Sequence, residues 1–143
     1  MRPKMSRYIS KKLDGEKGEI PRLKKMFSKS FTAPNFRSFW NAWNPIYSYV
    51  LTYFVYSNLR SIIGKTSALL VTFLINGLFH DIIVFLLLKR TSFNVSKLFI
   101  IYGLLVIIET KLNISIKNKS IRVLYNLILV LLPAGIIVLF ANI

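Results

Sequence analysis

The sequence predicts an all-α integral membrane protein with three to four transmembrane helices and an additional interfacial or re-entrant helix that carries an aromatic motif. Three observations lead to this fold class. The chain is 54% hydrophobic, with a mean hydropathy of +0.52. Its charge is segregated, because residues 1–37 hold 11 of the 20 Lys and Arg residues. The apolar run 66–88 has 23 residues, enough to cross about 30 Å of hydrocarbon as a helix.

The chain divides into a basic arm, residues 1–32, and a helical membrane domain, residues 33–143. The arm, which we place in the cytoplasm, has the charge of a segment that docks on anionic lipid headgroups, at about 1 kcal/mol per basic side chain. A nucleic-acid-binding arm would use the same charges, but no nucleic-acid-binding fold fits the rest of the chain, so we expect no nucleic-acid partner. Because the chain has no cysteine, disulfides and thiolate metal sites are excluded.

A short aromatic segment, bounded by two prolines, follows the arm. Pro34 suits a first helical turn, and Pro45 would stop or kink the helix. A helix between them has one aromatic and one polar face. The aromatic face consists of Phe36, Trp40 and Trp43, and the polar face of Arg37, Asn41 and Asn44. Tryptophan is enriched at membrane–water boundaries, so an interfacial belt helix explains the aromatic face, but it explains the polar face less well.

Four later segments are candidate membrane crossings: residues 45–63, 66–88, 96–112 and 121–143. The first is only moderately apolar. If it lies at the interface, the positive-inside rule counts 17 basic residues inside and 3 outside; if it crosses, the counts are 14 and 6. Three spans are therefore favoured, and four spans are the alternative. Both arrangements keep the N-terminus cytoplasmic, and we expect the protein in a bacterial cytoplasmic membrane.

The run 66–88 carries a polar stripe at one-turn spacing, formed by Thr72, Asn76 and His80. A histidine and the adjacent Asp81 inside hydrocarbon cost several kcal/mol, which makes a functional role the first hypothesis for His80. The alternative is an ordinary hydrogen bond between helices. Gly77 would let another helix or a substrate approach the backbone closely.

Two carboxylates lie in or beside the predicted spans. Asp81 is about 100° around its helix from His80, so we expect a different neighbour for it, with Arg37 or loop lysines as candidate partners. Glu109 lies near a span end beside Lys111 and is expected to reach water. One histidine, no cysteine and scattered carboxylates predict no metal site.

In order and character, these residues resemble the core of the membrane-bound O-acyltransferases. The likeness covers residues 34–88 and consists of Phe39-Trp40-x-x-Trp43-Asn44, then Tyr53-Phe54-Val55-Tyr56, then Asn76-Gly77-Leu78-Phe79-His80. In that family an aromatic motif ends in Asn, Asp or His, and a downstream apolar helix carries a near-invariant His. By position, Asn44 matches the first site and His80 the second.

The chain departs from the family pattern in two respects. Asn41-Ala42 stands where family members often have basic residues, and family members are several-fold longer. We therefore expect 143 residues to need a second copy of the chain or a partner membrane protein to enclose a substrate tunnel.

The resemblance implies an acyltransferase that moves an acyl group from a thioester, such as acyl-CoA, to a hydroxyl acceptor. His80 would be the general base, and Asn44 would orient the acceptor or stabilise the oxyanion. The candidate substrate-binding residues are Trp40, Asn41, Trp43, Asn76 and Gly77. Apart from the thioester co-substrate no cofactor is implied, and the expected partners are membrane lipids and the thioester donor.

Two other functions fit the composition. The short chain favours a non-catalytic adaptor or a subunit of a larger membrane complex, whereas Asn44 and His80 together favour the enzyme. A small pore-forming or holin-like protein would explain the apolar spans but has little use for the motif that ends in Trp43-Asn44.

Overall fold

The computed structural model describes residues 3–90 and 92–141, without the side chains of residues 140 and 141, and within these ranges the chain is helical and has no strand. The predicted all-α class is thus confirmed. The outermost residues of the predicted arm and of the predicted last span, 1–2 and 142–143, lie outside the described residues. The helices are α1 (Met5–Lys12), α2 (Glu19–Phe31), α3 (Phe36–Ala42), α4 (Pro45–Val50), a π-helix (Leu51–Tyr56), α5 (Ser57–Ile63), α6 (Lys65–Leu88), α7 (Asn94–Lys111) and α8 (Lys119–Ala141).

Two of these helices are long and apolar enough to cross a membrane: α6, with 24 residues, and α8, with 21 residues over Lys119–Leu139. Only 17% and 11% of their apolar windows are buried, so most of their large apolar side chains face outward. An outward apolar surface of this kind is favourable against lipid and unfavourable against water. The predicted count of three to four spans is not confirmed.

Helix α7 corresponds to the predicted span 96–112 and packs along α6. It has 18 residues and contains three charged ones, Lys97, Glu109 and Lys111, which is too many for a clear membrane span. A Cβ on Gly77 would lie 2.6 Å from Ser96 Cα, and a Cβ on Gly103 would lie 3.1 Å from the Cβ of Phe73. The two glycines therefore allow the backbones of α6 and α7 to approach closely.

The carboxylate of Asp81, on α6, binds the start of α7. It accepts hydrogen bonds from the backbone N–H groups of Val95 (3.3 Å) and Ser96 (2.8 Å) and from the Ser96 hydroxyl. First-turn N–H groups have no partner within their own helix and lie at the positive end of its dipole. This contact differs from the expected pairing with Arg37 or a loop lysine, because a helix N-terminus already satisfies a carboxylate.

The carboxylate of Glu109, on α7, similarly binds the start of α3. Glu109 is 3% exposed, so the expectation that it reaches water is wrong. Its Oε1 accepts hydrogen bonds from the Phe36 N–H (2.7 Å) and the Tyr125 hydroxyl (2.8 Å), and its Oε2 accepts one from the Arg37 N–H (3.0 Å). Glu109 thereby fixes the aromatic helix against α7.

The aromatic segment forms two short helices. Helix α3 begins after Asn35, whose side chain accepts a hydrogen bond from the Ser38 N–H (2.8 Å), so Pro34 precedes the helix and is not in its first turn. Pro45 opens α4, as its fixed φ and missing N–H permit. The chain then stays helical through the π-helix to Ile63, until Gly64, at φ 81°, turns it into α6.

The basic arm packs against the rest of the molecule. The Tyr8 hydroxyl of α1 lies 2.9 Å from Ser48 Oγ of α4. On α2, Phe27 contacts the ring of Trp43 edge-to-face, with 5.2 Å between centroids. The arm thus covers one side of the α3–α4 segment.

Candidate active site

A cavity of about 300 Å³ lies between the aromatic segment and helices α6 and α7. All three residues of the predicted polar face line it, as does the polar stripe of α6. Asn44, however, lies beyond the end of α3 and is the N-cap of α4, so the predicted face does not belong to a single helix. Its polar lining consists of Arg37, Asn41, Asn44, Tyr47, Ser48, Thr52, Tyr56, Thr72, Asn76 and His80. Its apolar lining consists of Trp40, Trp43, Leu51, Leu69, Phe73, Phe99 and Val106. The cavity therefore has the mixed walls of an amphiphile-binding site, with apolar surface for a chain and polar groups for a head.

The imidazole of His80 is oriented by its own helix. Its Nδ1 lies 2.7 Å from the backbone carbonyl oxygen of Asn76. A carbonyl oxygen only accepts hydrogen bonds, so Nδ1 carries the proton, and Nε2 is the basic nitrogen of the neutral ring. The ring stacks on Phe99, with centroids 5.1 Å apart and planes at 26°, and also contacts Tyr47. These contacts fix the plane of the imidazole and leave Nε2 without a described partner.

Asn44 has one side-chain atom committed to the fold. Its backbone is left-handed (φ 42°, ψ 80°), a conformation that asparagine tolerates better than most residues. The side-chain Oδ1 accepts a hydrogen bond from the Tyr47 N–H at 3.3 Å and so caps α4. The backbone N–H lies 3.3 Å from Met26 Sδ. Because Oδ1 is occupied, the Nδ2 amide is the part of Asn44 that can donate a hydrogen bond to a ligand.

The two tryptophans are parts of a continuous aromatic cluster. Trp40 contacts the rings of Phe36, Phe73, Phe99 and Tyr102, at centroid distances of 5.7, 5.5, 5.5 and 5.2 Å. Trp43 stacks on Phe39 at 5.5 Å and 13°. Packing alone therefore explains much of the motif, although both indoles also form part of the cavity wall.

Two buried polar atoms next to the cavity have no hydrogen-bond partner among the described residues, Trp40 Nε1 and Asn76 Oδ1. Burying a polar group without a partner costs about 1–3 kcal/mol, so native proteins rarely do it without a reason. Both atoms belong to residues that the sequence nominates for substrate binding. Asn41 and Trp43, two of the other nominated residues, also line the cavity.

Gly77 is the nominated residue that lies elsewhere. A Cβ at this position would meet the backbone of Ser96 and lie 3.0 Å from the Cβ of Phe99. We expected either another helix or a substrate to approach the backbone at Gly77, and in the structure helix α7 does so. Gly77 lets Phe99 lie close to α6, and Phe99 stacks on the imidazole of His80. The absence of a side chain at Gly77 therefore also helps to position the imidazole.

Sequence reasoning missed three residues that shape the site. Phe99 supports the imidazole of His80, and Glu109 anchors α3 through two backbone N–H groups. On α1, the Lys12 Nζ donates a hydrogen bond to the backbone oxygen of Asn41 at 2.7 Å. Burial and the nearby charge of Lys29 lower the pKa of Lys12 below its usual range. No local sequence pattern indicates these roles, because each residue contacts a partner that is distant from it in the sequence.

Comparison with known proteins shows which family the chain is similar to. The model of the membrane-bound O-acyltransferase (MBOAT) family matches residues 14–140, most of this chain and well beyond the segment 34–88 that carries the motif resemblance. No curated protein and no solved structure matches.

Proposed function

The chain belongs to the membrane-bound O-acyltransferase family, and we propose that its cavity transfers an acyl group from a thioester donor to a hydroxyl acceptor. The observation that carries the proposal is the shared position of His80 and Asn44 on one cavity. Each residue has one side-chain atom bound to the backbone, His80 Nδ1 to Asn76 and Asn44 Oδ1 to Tyr47. Each keeps its other polar atom, a basic Nε2 and an N–H donor, for chemistry.

In the proposed reaction, His80 Nε2 accepts the hydroxyl proton of the acceptor while the hydroxyl oxygen attacks the thioester carbonyl carbon. Such general-base assistance contributes about 10²–10⁴-fold to the rate. The carbonyl oxygen becomes an oxyanion, which accepts a hydrogen bond from Asn44 Nδ2. The intermediate then collapses: the C–O ester bond remains, the C–S bond breaks, and the thiolate takes the proton from the imidazolium of His80. No proton or electron is left over, and no acyl-enzyme forms.

The apolar and aromatic wall of the cavity supports a lipid-like acyl chain. Leu69, Phe73, Phe99 and Val106 line it together with Trp40. The hydroxyl and amide groups that also line the cavity suit the polar acceptor or the thioester head. The unpaired Asn76 Oδ1 adds a hydrogen-bond acceptor that the fold leaves unused.

We further propose that the N-terminus is cytoplasmic, that α6, α7 and α8 all cross a bacterial cytoplasmic membrane, and that α3 lies at its interface. The charge distribution supports this arrangement over a four-span one. In this arrangement the cavity would lie along the middle of α6, which lines it from Leu69 to His80.

A non-catalytic adaptor or complex subunit is the second candidate. The observation in its favour is that capping of α4 by Asn44 and aromatic packing of the two tryptophans already explain much of the motif. An adaptor needs His80 only as a hydrogen-bonding and packing residue. The two functions therefore differ in what they require of Nε2.

The deciding experiment measures acyl transfer from acyl-CoA by the purified protein in lipid nanodiscs, with wild type compared with His80→Gln. Glutamine keeps an amide for hydrogen bonding and a similar size but has no basic nitrogen, so we expect the rate to fall by about 10² or more. Ile83→Val, on the outward side of the same helix, is the matched control and should retain wild-type activity. Thermal unfolding of all three proteins checks the fold. Transfer at the wild-type rate by His80→Gln would remove the catalytic role and leave the adaptor.

A further inference from the structure

Arg37 is the one arginine or lysine among the described residues that line the cavity. Its side chain is exposed, and among the described residues it forms no ion pair with a carboxylate. The backbone N–H of Arg37, not its guanidinium, binds Glu109. The guanidinium, a rigid fork of N–H donors, is therefore available at the cavity.

A second cation contacts a residue that lines the cavity. Lys12 Nζ binds the backbone oxygen of Asn41, itself a lining residue, and Lys29 Nζ lies within hydrogen-bonding distance of the Lys12 carbonyl oxygen (2.9 Å). The Glu109 carboxylate is already occupied by two backbone N–H groups and the Tyr125 hydroxyl. Two positive charges, those of Arg37 and Lys12, are thus associated with α3 beside a cavity whose lining also includes apolar and aromatic side chains.

We infer that Arg37 binds a phosphate ester of an amphiphilic ligand whose acyl portion lies along the aromatic wall of the cavity. The inference rests on the proposed function and adds to it a residue that determines specificity. Arginine matches the two oxygens of a phosphate with parallel N–H donors, and Lys12 supplies a second charge nearby. A cavity of about 300 Å³ is at the lower end of the range for ligand sites, so the phosphate stays at the exposed mouth while the apolar part enters. The phosphate belongs either to the thioester donor or to a phospholipid headgroup.

The test measures binding without turnover, through the emission of Trp40 and Trp43, the two tryptophans of the chain, which both line the cavity. Wild type and Arg37→Gln in phosphatidylcholine nanodiscs are titrated with three probes: coenzyme A, dihexanoyl phosphatidic acid, and an acyl-N-acetylcysteamine thioester that carries no phosphate. Arg60→Gln, an exposed arginine on α5 outside the cavity, is the matched control. Arg37→Gln keeps the backbone N–H that donates a hydrogen bond to Glu109, so this contact between α3 and α7 is retained. Thermal unfolding verifies the fold.

We expect Arg37→Gln to weaken the binding of one of the two phosphate-bearing probes about tenfold or more. The binding of the neutral thioester should not change, and Arg60→Gln should bind all three probes as wild type does. Selective loss of coenzyme A assigns the phosphate to the donor, and selective loss of phosphatidic acid assigns it to a lipid. Equal weakening of all three probes, or of none, overturns the inference. Wild-type protein that binds a phosphate probe through Arg37 but transfers no acyl group would reject the proposed function and leave the phosphate site standing.

Discussion

His80 and Asn44 share one structural principle, in which a polar side chain uses one atom to satisfy its own backbone and keeps the other for the cavity. In His80 the bond runs from Nδ1 to the carbonyl oxygen four residues earlier; in Asn44 it runs to Oδ1 from the N–H three residues later. Such local bonds orient a side chain cheaply, because the backbone partner is already ordered by the helix. The remaining atoms, His80 Nε2 and Asn44 Nδ2, are the ones to which we assign catalytic roles.

At Asn44 the capping role and the donor role can be separated by two substitutions. Asn44→Asp keeps an oxygen to cap α4 and tolerates the left-handed backbone, but it removes the N–H and adds a negative charge beside the oxyanion. We expect its acyl-transfer rate to fall by about 10²–10³, with thermal stability close to wild type. Asn44→Ala should lose both functions and also about 0.5–2 kcal/mol of stability. Full activity in Asn44→Asp would reduce Asn44 to a helix cap.

At the scale of single helices, the site depends on contacts that hold α3, α6 and α7 in register. Gly77 and Gly103 bring α6 and α7 together, and this places Phe99 against the imidazole of His80. Glu109 then binds α3 to α7 by its first two N–H groups. The carboxylate of Glu109 thus aligns helix α3, and the ring of Phe99 aligns the imidazole of His80.

Replacement of Glu109 tests this alignment. Glu109→Gln has one acceptor oxygen instead of two, so one buried N–H or the Tyr125 hydroxyl loses its partner, and we expect a loss of about 1–3 kcal/mol in unfolding free energy. Glu109→Ala should cost more. The matched control is Glu19→Gln in the exposed first turn of α2, which should lower the unfolding free energy by only about a few tenths of a kcal/mol. Urea or thermal unfolding in detergent measures the difference; equal stability of the Glu109 and Glu19 variants would contradict the anchoring role.

For the molecule as a whole, charge and apolar surface are sorted to different places. The outward faces of α6 and α8 are apolar, and the basic residues concentrate in α1 and α2, which pack on the α3–α4 segment beside the cavity. The carboxylate of Asp14 is paired with Lys29 and Lys25, whose hydrogen bonds lower its pKa. Most of the positive charge in this region is therefore left for anionic lipids or ligands.

The orientation in the membrane follows from this sorting and can be tested with single cysteines, since the native chain has none. With three spans, Ser92→Cys is external and Ser115→Cys internal, because one exposed loop follows α6 and the other follows α7. A four-span chain reverses both. Lys17→Cys is internal in either case. Labelling of intact cells with a membrane-impermeant maleimide should therefore reach Ser92→Cys alone. Labelling of Ser115→Cys instead would establish four spans, and labelling of Lys17→Cys would invert the orientation.

The helical class, the stripe from Thr72 to His80 and the shared face of Arg37 and Asn41 on α3 were all readable from the sequence, whereas Asn44 lies beyond that helix. Each depends on residues three or four apart on one helix, and helical geometry converts that spacing directly into a shared face. The motif resemblance was likewise local, and the family match confirms it over a longer stretch.

The tertiary structure alone decided which partners the buried polar groups take. Glu109 reaches Phe36 across 73 positions, Lys12 reaches Asn41 across 29, and Gly77 faces Ser96 and not the cavity. Such contacts depend on how each helix is rotated about its axis against its neighbours. The packing of all the helices together sets that rotation, and the periodicity of any one of them does not.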